Sequence, residues 1–277
     1  MRLGVSMWSY YKPWKRGDLD IPGFVREAAK IGAEGVELLD FFYKDADAER
    51  PAIQEALDEV DLPVPIFSVA NNFSKLTEQE RLAQLKRIMF GVDEAVRWGA
   101  KVVRVFAGDV AEGITFEQAK SWIVAGLAEA SRYAAERHVK LALENHGSMA
   151  GRADQVRGLI DAVRNRAGND ALGSNPDVGN FVLVDQVPHL AVQALAPLAN
   201  MVHFKDFVEG PGPFVSPSGK HYAGAVVGEG VVNLAQCLLE LQVARFKGWL
   251  SVEYEGEEDS LTAVPRCLAN ARRFMQA

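Results

Sequence analysis

Short apolar runs rich in β-branched residues alternate along this chain with longer segments whose apolar positions recur at helical spacing. The runs predict eight strands: LGVSMW (3–8), GVELL (35–39), VPIFSV (64–69), KVVRVF (101–106), KLALEN (140–145), LGSNPDV (172–178), MVHFK (201–205) and LSVEYE (250–255). The helical pattern is clearest over PGFVREAAKIG (22–32), TEQERLAQLKRIMFGVDEAVRWG (77–99) and TFEQAKSWIVAGLAEASRYAAERH (115–138), and a closing helix is predicted at about 260–276. Pro22, Thr77 and Thr115 stand where a first-turn proline or a capping hydroxyl starts a helix. The phrases GAEGVEL and GAKVVRV each end a helix and begin a strand, as repeated βα units do.

Strand following helix eight times over predicts an α/β protein with a parallel sheet, closed as a single (β/α)8 barrel over residues 1–277. An open doubly wound sheet is the competing arrangement. It ordinarily carries a glycine-rich phosphate loop after its first strand, where this chain has the aromatic MWSYYKPW. No linker or compositional break divides the chain. One long stretch, 207–230, has no strand or helix pattern and is expected to be an irregular loop, either of functional use or disordered.

A 277-residue chain with 48% hydrophobic residues buries a large core. Its net charge of −7 argues against nucleic acid as a partner, because phosphate contacts need clustered Lys and Arg. Cys237 and Cys267 are too few and too far apart for a disulfide framework or a cysteine zinc site. The N-terminus lacks the apolar stretch of a signal peptide and no run is long enough to span a bilayer, so a soluble cytoplasmic protein with no membrane partner is expected.

Ionisable residues fall where apolar ones belong. Glu144 ends the fifth predicted strand, Asp177 the sixth, His203 the seventh and Glu253 the eighth. In a barrel those ends share one mouth, and three carboxylates meeting there repel unless a cation compensates them. Three carboxylates and one imidazole suit one divalent ion, with Mn²⁺ the first choice and Mg²⁺, Co²⁺ or Zn²⁺ the others. Each residue taken singly is more often a loop cap or a satisfied core group; the case rests on all four together.

In this order and spacing, LALENHG (141–147), NPDVGNF (175–181), VHFKDF (202–207), VGEGVVN (227–233) and LSVEYEG (250–256) resemble the xylose isomerase-like TIM-barrel superfamily of sugar (phosphate) isomerases and epimerases. The resemblance runs from GVSMWSY to the last strand and maps the superfamily's metal ligands onto Glu144, Asp177, His203 and Glu253. It implies proton abstraction next to the carbonyl of a small carbohydrate through an enediolate, with Glu144 and Glu253 as the acid–base pair. The alternative it carries is an inosose- or dehydroshikimate-type dehydratase on the same site; a third reading, from outside enzymes, is a non-catalytic binding subunit. It also implies a homodimer or homotetramer. Two departures narrow it: there is no histidine before His138, unlike the multi-metal endonuclease members, and ENHG replaces the EPLNR-like run of ketose 3-epimerases.

Six further residues are candidates for substrate contact. His146 follows Glu144 by two and shares its side of the strand; Lys205 stands likewise to His203, with a salt bridge to Asp206 or Glu255 as its structural alternative. Arg104 and Glu37 end strands four and two, where an ion pair of Arg104 with Glu37 or Glu144 is the alternative. Trp8, with Phe73, is expected to wall a sugar ring, and His221 sits in the long stretch after strand seven.

Overall fold

The computed structural model describes residues 1–109, 111–147 and 149–276. Seven strands alternate with helices from the N-terminus: β1 (Arg2–Ser6), α1 (Tyr11–Arg16), α2 (Ile21–Lys30), β2 (Val36–Leu39), α3 (Ala46–Val60), β3 (Ile66–Ser68), α4 (Glu78–Trp98), β4 (Val102–Val105), α5 (Phe116–Glu136), β5 (Lys140–Glu144), α6 (Ala153–Ala167), β6 (Leu172–Asn175), α7 (Pro188–Leu195) and β7 (Val202–Phe204). A hairpin of β8 (Asp206–Val215) and β9 (His221–Ala225) follows, then α8 (Leu234–Val243), β10 (Trp249–Val252) and α9 (Ser260–Gln276). Thr77 and Thr115 each close a capping box, with Glu80 and Gln118, and Asp20 caps α2 ahead of Pro22.

The staves run β6-β5-β4-β3-β2-β1-β10-β7, and every pairing is parallel. The chain is a single (β/α)8 barrel. Its last seam, between β6 and β7, is joined by two isolated bridges, Ser174 to Ala199 and Asp177 to His203. His203 N–H donates to Pro176 O (3.2 Å) and Val178 N–H to His203 O (3.1 Å). Closing the barrel therefore sets Asp177 beside His203.

The period-two alternation of strands sorts the interior from the wall. Outward residues such as Val36, Phe67, Val103, Leu143, Phe204 and Val252 are buried with the helices in the main core. Ile66, Val102, Ala142 and Met201, with half-buried Trp249 against them, form a separate small apolar cluster. Each of the four lies two residues before a polar inward residue: Ser68, Arg104, Glu144 and His203. The barrel is thus plugged with hydrocarbon at its N-terminal end and filled with ionisable groups above it.

The 207–230 stretch is not the irregular loop its sequence predicts. β8 and β9 pair antiparallel from Asp206 with Ala225 to Glu209 with Tyr222, then resume at Phe214 with Tyr222 after a bulge. Pro211 and Pro213 stand in the bulged part, where a missing N–H costs no ladder bond, and this hid the strand. Asp206 anchors the hairpin's base by accepting N–H bonds from Phe207, Gly228, Gly230 and Val232. Among the described residues no helix is long and apolar enough to cross a membrane.

Candidate active site

One ligand atom from each of Glu144, Asp177, His203 and Glu253 lies within 4.8 Å of all the others, and all four residues are buried. They come from the ends of β5, β6, β7 and β10. Backbone fixes Asp177: its Oδ1 accepts from Gly179 N–H and Asn180 N–H, both at 2.9 Å, and its own N–H donates to Asn145 Oδ1 at 2.7 Å. Asn180 Nδ2 donates to Glu144 Oε1 and Asn175 Nδ2 to Glu144 Oε2, both at 3.3 Å.

His203 is held from both sides. Nε2 lies 3.1 Å from Glu37 Oε2, and Nδ1 lies 3.2 Å from Glu144 Oε2 and 3.9 Å from Asp177 Oδ2. Glu37 is steadied in turn by hydroxyl donors, Ser68 Oγ at 2.5 Å and Ser251 Oγ at 2.6 Å. Nδ1 is therefore the nitrogen that faces Glu144 and Asp177, and Glu37, beside Nε2, favours a proton there whenever the ring is neutral. Replacing Glu37 with Gln is expected to weaken divalent-metal affinity about 10–100-fold while the protein stays folded. Metal titration by calorimetry checks this, and unchanged affinity would remove Glu37 from that role.

Two cations balance the carboxylates. Lys205 Nζ, buried, lies 2.8 Å from Glu253 Oε2, 2.8 Å from Glu255 Oε2 and 3.4 Å from Asp177 Oδ2. Asp206, the other partner its sequence position offered, is occupied instead by the backbone of the 228–232 turn. Arg104 Nη1 donates to Val69 O at 3.0 Å, and its guanidinium stacks 4.0 Å over the Phe106 ring. Arg104 Nε comes within 3.2 Å of Glu144 Oε2 but without the alignment of a hydrogen bond, and among the described residues it has no hydrogen-bond partner. The contact is an ion pair with a donor left over.

Burial and charge oppose each other throughout. Burial raises the Glu144 carboxyl, but His203 and Arg104 outweigh it and hold the group well below the usual carboxylate range. Burial, with Glu144 and Glu253 close by, pushes Asp177 up to about 7 despite Lys205. Burial favours a neutral His203, yet Glu37, Glu253 and Glu144 hold the imidazolium well above its ordinary value. Lys205 is likewise held charged by Asp177, Glu253 and Glu255 against the cost of burial.

Three buried carboxylates and one imidazole nitrogen around a common point fit a divalent cation; in the bare protein a lysine ammonium and an imidazolium answer that charge instead. Asp177 and His203 both have raised values, so their protonated forms stabilise the metal-free fold in acid. That contribution fades as pH rises through about 7 for Asp177, and higher for His203. A cation needs both deprotonated. Metal uptake is therefore expected to release protons, and affinity to rise with pH; calorimetry in two buffers of different ionisation heat measures both. Affinity that falls as pH rises would contradict the assignment.

Above these groups lies a cavity of about 300 Å³. Trp8, Phe41 and Phe106 wall it, and Arg104, Glu144 and Glu253 reach it from below. Trp8 lines the cavity, and its Nε1–H donates to Glu255 Oε1 at 2.6 Å. Phe73 is instead a core residue, fully buried. Glu37 supports His203 from beneath rather than lining the cavity. His146 is exposed at the rim, its ring 4.6 Å from that of Phe106. His221 is brought to none of this: it lies exposed on β9 with Nδ1 3.4 Å from Gly212 O.

Sequence reasoning reached Glu255 only as an ion-pair partner for Lys205, which it is, and passed over Phe41, Phe106, Asn175 and the two serines beneath Glu37. Glu255 had a signal, since it repeats the Glu253 parity two residues on. Ser68 and Ser251 had a weaker one: polar residues at inward positions of otherwise apolar strands.

The chain was compared with known proteins. The family model described as xylose isomerase-like TIM barrel matches residues 25–275. The chain belongs to that family. The comparison with curated proteins finds no match. Among solved structures, a xylose isomerase-like TIM-barrel protein from Mycobacterium smegmatis in complex with magnesium is similar, at 17% identity and TM-score 0.74, covering 99% of this chain and 95% of that one. A 3-keto-D-glucoside 4-epimerase from E. coli matches at 16% identity and TM-score 0.77, covering 99% of both chains. A probable 3-DHS dehydratase from Bacillus anthracis matches at 16% identity and TM-score 0.74, covering 100% and 99%. At such identities the likeness is one of fold. Membership of the xylose isomerase-like family marks this chain as an enzyme, and the chain's own strand ends carry the buried ionisable cluster.

Proposed function

We propose that this xylose isomerase-like barrel is a divalent-metal-dependent isomerase or epimerase of a sugar or cyclitol, moving a proton next to a carbonyl. The observation that carries the reading is the buried set Glu144, Asp177, His203 and Glu253, two of whose carboxylates open onto the aromatic-walled cavity. A divalent ion held by these four would supply Lewis-acid polarisation of a substrate carbonyl, lowering the pKa of the neighbouring C–H. Manganese is our first choice of ion. The solved relatives support a metal without naming one, since their descriptions give magnesium in one case and zinc in another.

The chain's own residues then have distinct tasks. Glu144 and Glu253 form the acid–base pair, one receiving the carbon-bound proton and the other returning one. Arg104 offers its unpaired Nε–H to a substrate oxygen. Lys205, anchored to Glu253 and Glu255, places positive charge beside the oxygen on which negative charge develops. Trp8, Phe41 and Phe106 cover the C–H faces of a ring and exclude water.

The test is a metal-supplemented screen of ketoses, ketose phosphates and inososes in D₂O. Deuterium at the carbon beside the carbonyl, with the sugar otherwise intact, is the expected result. Loss of one water per turnover assigns the dehydratase chemistry instead. No deuterium in any compound overturns the reading.

A further inference from the structure

A second cavity of about 500 Å³ opens beside the first, and His146, Lys205 and Glu255 line both. The two chambers therefore adjoin, with these side chains between them. Leu183, Val184, Phe214, Val215 and Pro217 give the second chamber an apolar lining. Leu183 and Val184 come from the turn after β6, the others from the end of β8 and the hairpin turn, so the chamber lies between a barrel loop and the hairpin.

The chamber is built rather than incidental. Asp185 ties its two walls together, accepting from Ser218 N–H at its Oδ2 and from Ser218 Oγ at its Oδ1, both at 2.7 Å. Phe214 is braced edge-on against buried Phe207 at 5.3 Å between ring centroids. Yet Val215 is 56% exposed, as Phe41 at the first cavity is 38% exposed. Apolar residues left open on both lips of a catalytic cleft fit a ligand that covers them.

Apart from His146 between the two chambers, its polar side chains are already committed. Asn145 exchanges hydrogen bonds with the Asp177 backbone, Asn180 donates to Glu144 and Asn145 O, and Ser216 pairs with Ser218. Lys205 is shared by three carboxylates. A second hydroxyl-rich ring would therefore find few side-chain partners, whereas an apolar group loses nothing by entering. Charge disfavours an anion as well. Among the described residues, Glu37, Glu144, Asp177, Glu253 and Glu255 are met at close range by Arg104 and Lys205 as permanent cations, so a single divalent ion still leaves this cluster negative.

We infer that the substrate is an uncharged two-part molecule, a keto sugar or keto cyclitol bearing an aryl or alkyl substituent, whose polyol half occupies the Trp8–Phe106 chamber and whose apolar half fills the Leu183–Phe214 chamber. The inference rests on the proposed carbonyl chemistry for the polyol half and on the cleft alone for the apolar half. Together the two chambers fall within the range of pockets that enclose a molecule larger than a monosaccharide.

The test titrates the manganese-loaded protein with phenyl and methyl 3-keto-β-D-glucopyranoside and with a ketose phosphate, reading affinity by calorimetry. The phenyl compound is expected to bind about tenfold or more tightly than the methyl one. Leu183→Asp and Val215→Asp are each expected to bring that ratio towards one; Val215 is exposed, so its variant folds even if Leu183→Asp does not. Equal affinities, failure of both glycosides to bind, an unaltered ratio in the folded variants, or tightest binding of the phosphate would each overturn the inference. Deuterium incorporation is read in the same samples. Its absence alongside a phenyl preference would sink the isomerase reading and leave the chamber standing.

Discussion

Glu144→Gln and Glu253→Gln are each expected to lower solvent deuterium incorporation about 10²–10⁴-fold or more, the usual contribution of a positioned acid or base. The amide keeps the shape of the carboxyl and removes its ability to hold a proton. Because both residues also belong to the proposed ligand set, metal content must be measured in the same preparations. At saturating metal the loss of exchange is expected to persist in both variants, which separates proton transfer from ion binding. Full exchange in both would rule out their acid–base role. Of the two, Glu144 is the more entangled, since His203, Arg104, Asn175 and Asn180 all contact it.

The second large effect concerns stability. Lys205→Met is expected to destabilise the metal-free protein by about 3–5 kcal/mol, the range for breaking a buried ion pair by removing one partner. Methionine fills much of the space but leaves Asp177, Glu253 and Glu255 without their ammonium. Denaturant unfolding with and without manganese gives the readout. Metal is expected to restore a larger share of stability to the variant than to the parent, because the cation then replaces the positive charge that the substitution removed. Equal stability of parent and variant without metal would show that Lys205 is not the counter-charge its position makes it.

Much of this was legible in the sequence, for a physical reason. A stave of a barrel is buried on both faces, so its ionisable residues stand out against an apolar run. Glu144, His203 and Glu253 were visible in that way, and Asp177 by its place after SNP. The helices announced themselves through Thr77 and Thr115, whose capping boxes are side-chain chemistry written into adjacent residues. The hairpin was not legible. Its glycines and prolines imitate a loop, and only the bulge between Glu209 and Phe214 reconciles them with a strand pair. Phe41 and Phe106 were missed because what matters in them is which cavity they border, and that depends on residues far away in the chain. His221 shows the converse: a histidine in a promising segment that the pairing of β8 and β9 turns outward.

The two-residue rhythm of the staves has a wider consequence. Residues that glue the outer helices to the wall and residues that furnish the lumen occupy different positions of the same strand, and they scarcely touch one another. Swapping the furnishings leaves the masonry standing. A lineage built this way is free to try new reactions without renegotiating its architecture.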